Sequence, residues 1–210
     1  MRVSGIGLVA GWALLAAGSG GALVALAAAG EERSQEGGDE ALAVLEVLSE
    51  GLLPPGEALK KAVEKAPGAA AVSLELAVHR AEGKSTVVWE ADFAGEKGMV
   101  EVLVDARTGA VVGTEEEPDA EEAKACRALL AKGGVGLADA LKTLAEHVHG
   151  LVLEIEIDDE DDGAVWESHL ARAGRRSEIL LSTSTGKIVP GDGEDEDGEE
   201  DEDGDAGGDD

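Results

Sequence analysis

Trp89 and Trp166 are each followed, 19 positions later, by a Thr-Gly pair, Thr108-Gly109 and Thr185-Gly186. The neighbours recur too. Val88-Trp89-Glu90 returns as Val165-Trp166-Glu167, and Gly109-Ala110-Val111-Val112 as Gly186-Lys187-Ile188-Val189. The chain therefore reads as one small unit written twice, 77 residues apart. An internal repeat constrains the fold more than any other sequence signal, because each copy must be able to form the same substructure.

The hydrophobic periodicity fills in each copy. Ala41, Val44, Leu45, Leu48 and Leu52 make one helical stripe beginning near Asp39 and stopped by Pro54-Pro55-Gly56. A second helix carries Leu59, Ala62, Val63 and Ala66 on one face and ends at Pro67-Gly68. Alternation then takes over at Val72–Val78, Val87–Phe93 and Val100–Val104, separated by turns at Glu82-Gly83-Lys84 and Gly95–Gly98. Asp105–Gly109 is a hairpin loop leading into a short fourth strand at Val111-Val112. In the second copy, Pro118-Asp119 opens a helix, with Asp119 and Glu122 at capping-box spacing. Leu137, Leu141, Leu144 and Val148 form the next stripe, and Gly150 fits its C′ position. Strands follow at Leu151–Asp158, Val165–Ala171, Ser177–Thr183 and Ile188-Val189. The expected class is α+β: two tandem units, each with amphipathic helices on an antiparallel meander of three to four strands. The boundaries are 39–114 and 118–190, with a polar linker over 31–38.

Both ends differ from this middle. Residues 3–30 contain no charge, follow Arg2, and end in small residues before Glu31-Glu32. That pattern is a signal peptide, cut at Ala25-Leu26-Ala27 or Ala27-Ala28-Ala29, or a retained N-terminal membrane anchor. Either reading puts the rest outside the cytoplasm, in the periplasm, at the cell surface or secreted. Residues 191–210 are Asp, Glu and Gly almost throughout, an acidic tail expected to stay disordered. The formal charge is −29; the tail holds 13 acidic and no basic residues, which leaves −16 on the rest. Such a charge repels nucleic-acid phosphates and excludes nucleic acid as a partner class. It suits basic proteins, with weak cation binding by the tail as a further expectation.

No pattern for bond chemistry stands out. His79, His147, His149 and His169 lack zinc-ligand spacing, so no metal and no cofactor is expected. Asp158, Glu160, Asp162 and Gly163 imitate the opening of a calcium loop, but His169 stands where the closing glutamate belongs; a solvated hairpin is the simpler reading. Neither a nucleophile elbow nor a phosphate loop is present, and Cys126, the single cysteine, reads as a helix core position. No catalytic residue is assigned.

The run Glu57–Gly68, the Trp89 strand and Val104–Val112 together resemble the PepSY domain family. The second copy is similar over 137–190, with Ser182 in the place of Asp105 and Gly150 in place of the Pro-Gly stop. PepSY domains occur in propeptides of secreted metallopeptidases and in bacterial envelope proteins, and are associated with restraining peptidases or helping them mature. The resemblance implies a non-enzymatic extracytoplasmic module whose partner is a protein, a secreted peptidase for example, with the binding residues unspecified. Trp89, Asp105, Thr108, Gly109, Trp166, Thr185 and Gly186 carry the motif and read as structural. The alternative is an acidic envelope protein whose Asp/Glu tail binds calcium or other cations.

Overall fold

A computed structural model describes residues 51–81, 84–160 and 163–189. The segment 3–30, the linker, the acidic tail and the helix expected from Asp39 lie outside the described residues, except the last stripe residue of that helix, Leu52, which lies in a non-helical segment before Pro54. The described chain is α+β. Helix α1 (Pro55–Val63) precedes strands β1 (Ala70–Ala81), β2 (Lys84–Ala94), β3 (Met99–Asp105) and β4 (Val111–Glu117). Helices α2 (Ala120–Lys132) and α3 (Leu137–His147) precede β5 (Leu151–Glu160), β6 (Gly163–Arg172), β7 (Arg175–Ser182) and β8 (Ile188–Val189).

All eight strands join one antiparallel sheet in the order β4-β3-β2-β1-β5-β6-β7-β8. The halves meet where β1 pairs with β5 through Ser73–Glu156, Leu74–Ile155 and Glu75–Glu154. Leu74 and Ile155 hold equivalent places: Leu74 lies opposite Ala91 in one hairpin, and Ile155 opposite Ser168 in the other. Each hairpin bulges just before this point, between Ala71 and Ser73 and between Val152 and Glu154. The seam runs in reverse order about this central pair: Leu74 faces Ile155, with Ser73 facing Glu156 on one side and Glu75 facing Glu154 on the other.

One face of the sheet is apolar. Leu76, Trp89 and Val104 lie in register across it, as do Ile157, Trp166 and Leu181 in the other half. Leu59 of α1 and Leu137, Leu141 and Leu144 of α3 join these strand residues in a single core. Pro55 at the start of α1 suits a first-turn position, where its missing N–H has no partner to lose. Helix α2 has a weaker apolar stripe, and Ala123 is its one buried residue. Asp119 caps it, its carboxylate accepting from the Glu122 N–H at 2.9 Å. It starts beside Gly98, between β2 and β3, and ends beside Thr183, after β7, so it crosses the strands along one end of the sheet.

Several boundaries differ from the sequence reading. β4 extends to Glu117, because Glu115, Glu116 and Glu117 find partners in Glu101, Val100 and Met99 despite their charge. Gly150 is not at the C′ position: α3 is capped by Val148, and Gly150 sits where a β-carbon would meet the Ala171 carbonyl at 2.9 Å. β7 begins two residues early, at Arg175, after a two-residue turn of Ala173 (φ 50°) and Gly174 (φ 74°). Positive φ at both positions is the type I′ geometry that matches strand twist. Alanine is a poor choice there, since its β-carbon crowds the backbone. Ala173→Asn should raise stability by roughly 0.5–1 kcal/mol in urea denaturation, whereas Val112→Ala, at an edge position 51% exposed, should stay within about 0.5 kcal/mol.

Candidate functional site, an acidic sheet face

The motif residues of the sequence reading build scaffold. Trp89 and Trp166 have no exposed surface. Their indole N–H groups donate at 2.9 Å to the Leu53 and Val135 carbonyls, tying each loop before α1 and α3 to its sheet. Asp105 Oδ1 accepts from the N–H groups of Arg107 (3.0 Å) and Thr108 (2.7 Å) and from the Thr108 hydroxyl (2.9 Å). The Thr108 N–H contributes most to holding that carboxyl below its ordinary pKa. In the second half Ser182 Oγ takes the same place but accepts only weakly from the Thr185 N–H, at 3.3 Å. Gly109 (φ 71°) and Gly186 (φ 67°) close the two loops in the left-handed region. None of these side chains joins another in a cleft.

The face opposite the helices is different. Alternation sends every second residue of each strand there, and register lines them up. One row runs Glu115, Glu101, Asp92, Ser73, Glu156, Glu167 across six strands. The next runs Leu103, Glu90, Glu75, Glu154, His169, Glu178. Nine carboxylates thus share two adjacent rows. Among the described residues, Arg176 is the arginine or lysine paired with them, to Glu154 at 3.6 Å.

Crowding shows in the protonation equilibria. Glu90 and Glu101 stand next to each other in this array; burial first, then the neighbouring carboxylates, pushes both up to about 7. Glu75 and Glu156 rise to about 7 for the same two reasons in the same order. These two keep open surface while flanked by strands on both sides, so water screens them and the half-buried Glu90 and Glu101 dominate the effect. Asp92 is raised by burial, against a 2.7 Å hydrogen bond from Ser73 Oγ. Glu167 is raised by burial and then by Glu178.

His169 belongs to this face, with Nε2 3.0 Å from Glu167 Oε1. Burial, then Arg176, lowers its pKa. Glu167, His169 and Glu178 bring ligand atoms within 4.8 Å of one another, and so do Asp158, Glu160 and Glu167. Asp158 and Glu160 lie on a regular strand, opposite Val165 and Gly163, rather than in a calcium loop. His79 is exposed on this face further along β1, four residues beyond Glu75, and His147 and His149 are exposed near the end of α3. Cys126 is half-buried on α2, and burial followed by the charges of Glu122, Asp92 and Glu156 raises its pKa, which makes it a poor nucleophile. The buried hydroxyls are occupied: Ser168 donates to the Glu154 carbonyl at 3.0 Å and Thr183 to that of Ala164 at 2.7 Å.

Residues 52–115 match the family described as "PepSY: Peptidase propeptide and YPEB domain". These residues form a PepSY domain. The match covers α1 to β4 and stops short of the second half. A PepSY domain fits a non-catalytic protein outside the cytoplasm. No curated protein matches the chain. Among solved structures, the chain is similar to a candidate lipoprotein from Clostridium difficile 630, at 17% identity and a TM-score of 0.40, covering 66% of this chain and 91% of that one. A likeness that loose carries no argument here. No described helix is long and apolar enough to cross a membrane.

The acidic face makes stability depend on pH. A carboxyl whose folded pKa lies above its ordinary value of 4.5 opposes folding when it ionises. That opposition is absent below about pH 4.5 and complete above about pH 7. His169, with its lowered pKa, acts in the other direction below its ordinary 6.5, but it is one group against four. Thermal midpoints should therefore rise as pH falls from 8 to 5. Glu90→Gln should raise the midpoint at pH 8 and flatten the profile; a midpoint that falls steadily over that range would contradict this electrostatic picture.

Proposed function

We propose that this is an extracytoplasmic, non-enzymatic protein that binds a basic surface of a partner protein on its acidic sheet face and restrains it, a secreted peptidase being the first candidate. The observation that carries the reading is the crowd of carboxylates at Glu75, Glu90, Asp92, Glu101, Glu154 and Glu156, drawn from both halves. Alone they repel one another, and Glu75, Glu90, Glu101 and Glu156 hold protons near neutrality. A Lys- or Arg-rich surface would relieve that repulsion and steer encounter over long range. The PepSY domain at 52–115, whose family description names peptidase propeptides, points to the class of partner.

Residues 118–190 act in this reading as a second PepSY-like unit that doubles the face, beside the first at 39–114. Support comes from bonds repeated at the 77-residue interval: Ala106 N–H to Val87 O (2.9 Å) and Thr183 N–H to Ala164 O (3.2 Å), then Asp105 N–H to Ala110 O (2.8 Å) and Ser182 N–H to Lys187 O (2.9 Å). Segment 3–30 serves as the export signal or a membrane tether. The groove between Lys61, Lys65 and the open edge of β4 is a secondary surface, and Val112 on it is exposed. The glutamates at the end of β4 disfavour strand addition there.

The test is inhibition of peptidases secreted by the same organism, using the full chain. Slowed turnover is expected, weaker in 0.3 M than in 0.05 M salt. Reversing Glu90 and Glu156 together to Lys should weaken inhibition about tenfold or more. Absence of inhibition of every co-secreted peptidase, with no basic envelope protein retained, would end this reading. The second reading, cation binding by the tail, rests on the 13 acidic residues from Asp192 onward. It prevails if calcium uptake by the full chain vanishes entirely in a chain ending at Gly191.

A further inference from the structure

Glu167 and His169 alternate on one face of β6, and Glu178 stands directly opposite His169 on β7. Their ligand atoms lie within 4.8 Å of one another, the His169 Nε2 to Glu167 Oε1 distance being 3.0 Å. We propose that these three side chains bind one divalent transition ion, with zinc as the test metal. The inference is independent of what protein, if any, the sheet face holds.

A nitrogen donor separates this trio from the other carboxylates of the face. Carboxylate oxygens alone favour hard ions such as calcium, whereas an imidazole beside two carboxylates suits zinc and its neighbours in the transition series. Zinc binds such donors at about 2.0–2.2 Å, which puts neighbouring ligand atoms of a tetrahedron roughly 3.3 Å apart. The His169–Glu167 pair already has that spacing, and Glu178 is exposed and free to rotate toward it. At neutral pH an imidazole is mostly uncharged and keeps a lone pair for the metal. All three ligands sit mid-strand, where ladder pairing on both sides of β6 fixes the backbone, which favours a preset geometry. The nearest cation, Arg176, is turned to Glu154, the residue opposite His169 on β5. Glu154, Glu167 and Glu178 outnumber it. Three protein ligands leave a fourth zinc position open.

The experiment is a zinc titration of the full chain against a chromophoric chelator, with excess calcium present to occupy carboxylate-only sites. One zinc per chain is expected to survive the calcium. His169→Ala and Glu167→Gln should each weaken it about tenfold or more, while His147→Ala and His79→Ala leave it unchanged. Circular dichroism establishes whether each variant folds. Should His169→Ala fail to fold, the native chain decides: zinc must shift the ring resonances of His169 before those of His79, His147 and His149. The proposal is overturned if no zinc survives calcium, if a folded His169→Ala chain binds zinc as tightly as the native one, or if zinc shifts only the other histidines.

Discussion

The fold depends on a short seam. Three residue pairs, centred on Leu74 against Ile155, join two four-stranded halves into one sheet. Both residues are fully buried. The register reads the same in both directions about that centre, with Ser73 facing Glu156 and Glu75 facing Glu154. Two features accompany that register. The single antiparallel sheet carries α1 and α3 on the same face, where they touch each other as well as the strands. It also sends the outward residues of both halves to the other face, so the carboxylates of β2 and β3 and those of β5 and β6 gather in continuous rows. Joined any other way, each half would expose a small acidic patch instead of one large one.

The seam explains why stability and charge are set against each other here. Glu75 and Glu154, and Ser73 and Glu156, are brought side by side by the register that pairs Leu74 with Ile155. A one-residue slip would remove the carboxylate contact but would turn every core residue of one half to solvent. Burying the core outweighs charge repulsion, since a large aliphatic side chain gains about 1.5–3 kcal/mol on burial and a half-exposed carboxylate can relieve its repulsion by taking up a proton near neutrality. Glu90 and Glu101, both pushed up to about 7, are where that relief is greatest.

Much of each half was legible in the sequence, because the signals are local. The Trp-to-Thr-Gly interval marks a strand, a turn and the hairpin that closes the meander. Turn chemistry at Asp105–Gly109 and apolar stripes at Leu59 and Leu141 belong to single elements and can be read in order. The joining of the halves was not legible, since alternation says which side chains share a face of one strand and nothing about which strand lies beside it. The early start of β7 was hidden for another reason: Arg175 and Arg176 are charged, and Ala173 is an unusual residue for a left-handed turn position. The long β4 was hidden likewise behind Glu115–Glu117, whose charges are tolerable only because the strand is an edge with water on one side.

The acidic face and the His169 trio belong to the illegible part, and the reason is physical. In sequence, Glu154, Glu156 and Glu167 are merely the outward residues of amphipathic strands, as any solvated sheet would carry. Two ligands on one strand at i and i+2, with the third across a hairpin, leave no spacing signature like the helical or looped motifs that announce a zinc site. What the strands supply is register: it converts commonplace surface glutamates into an array whose members alter one another's protonation. A surface of scattered glutamates would be inert toward pH. An array with carboxyls pushed up to about 7 changes its charge within the range that cells and their surroundings visit. Any cation that docks on it, side chain or metal, must displace protons to do so. Binding to this face and the local pH are therefore linked by the geometry of the sheet itself.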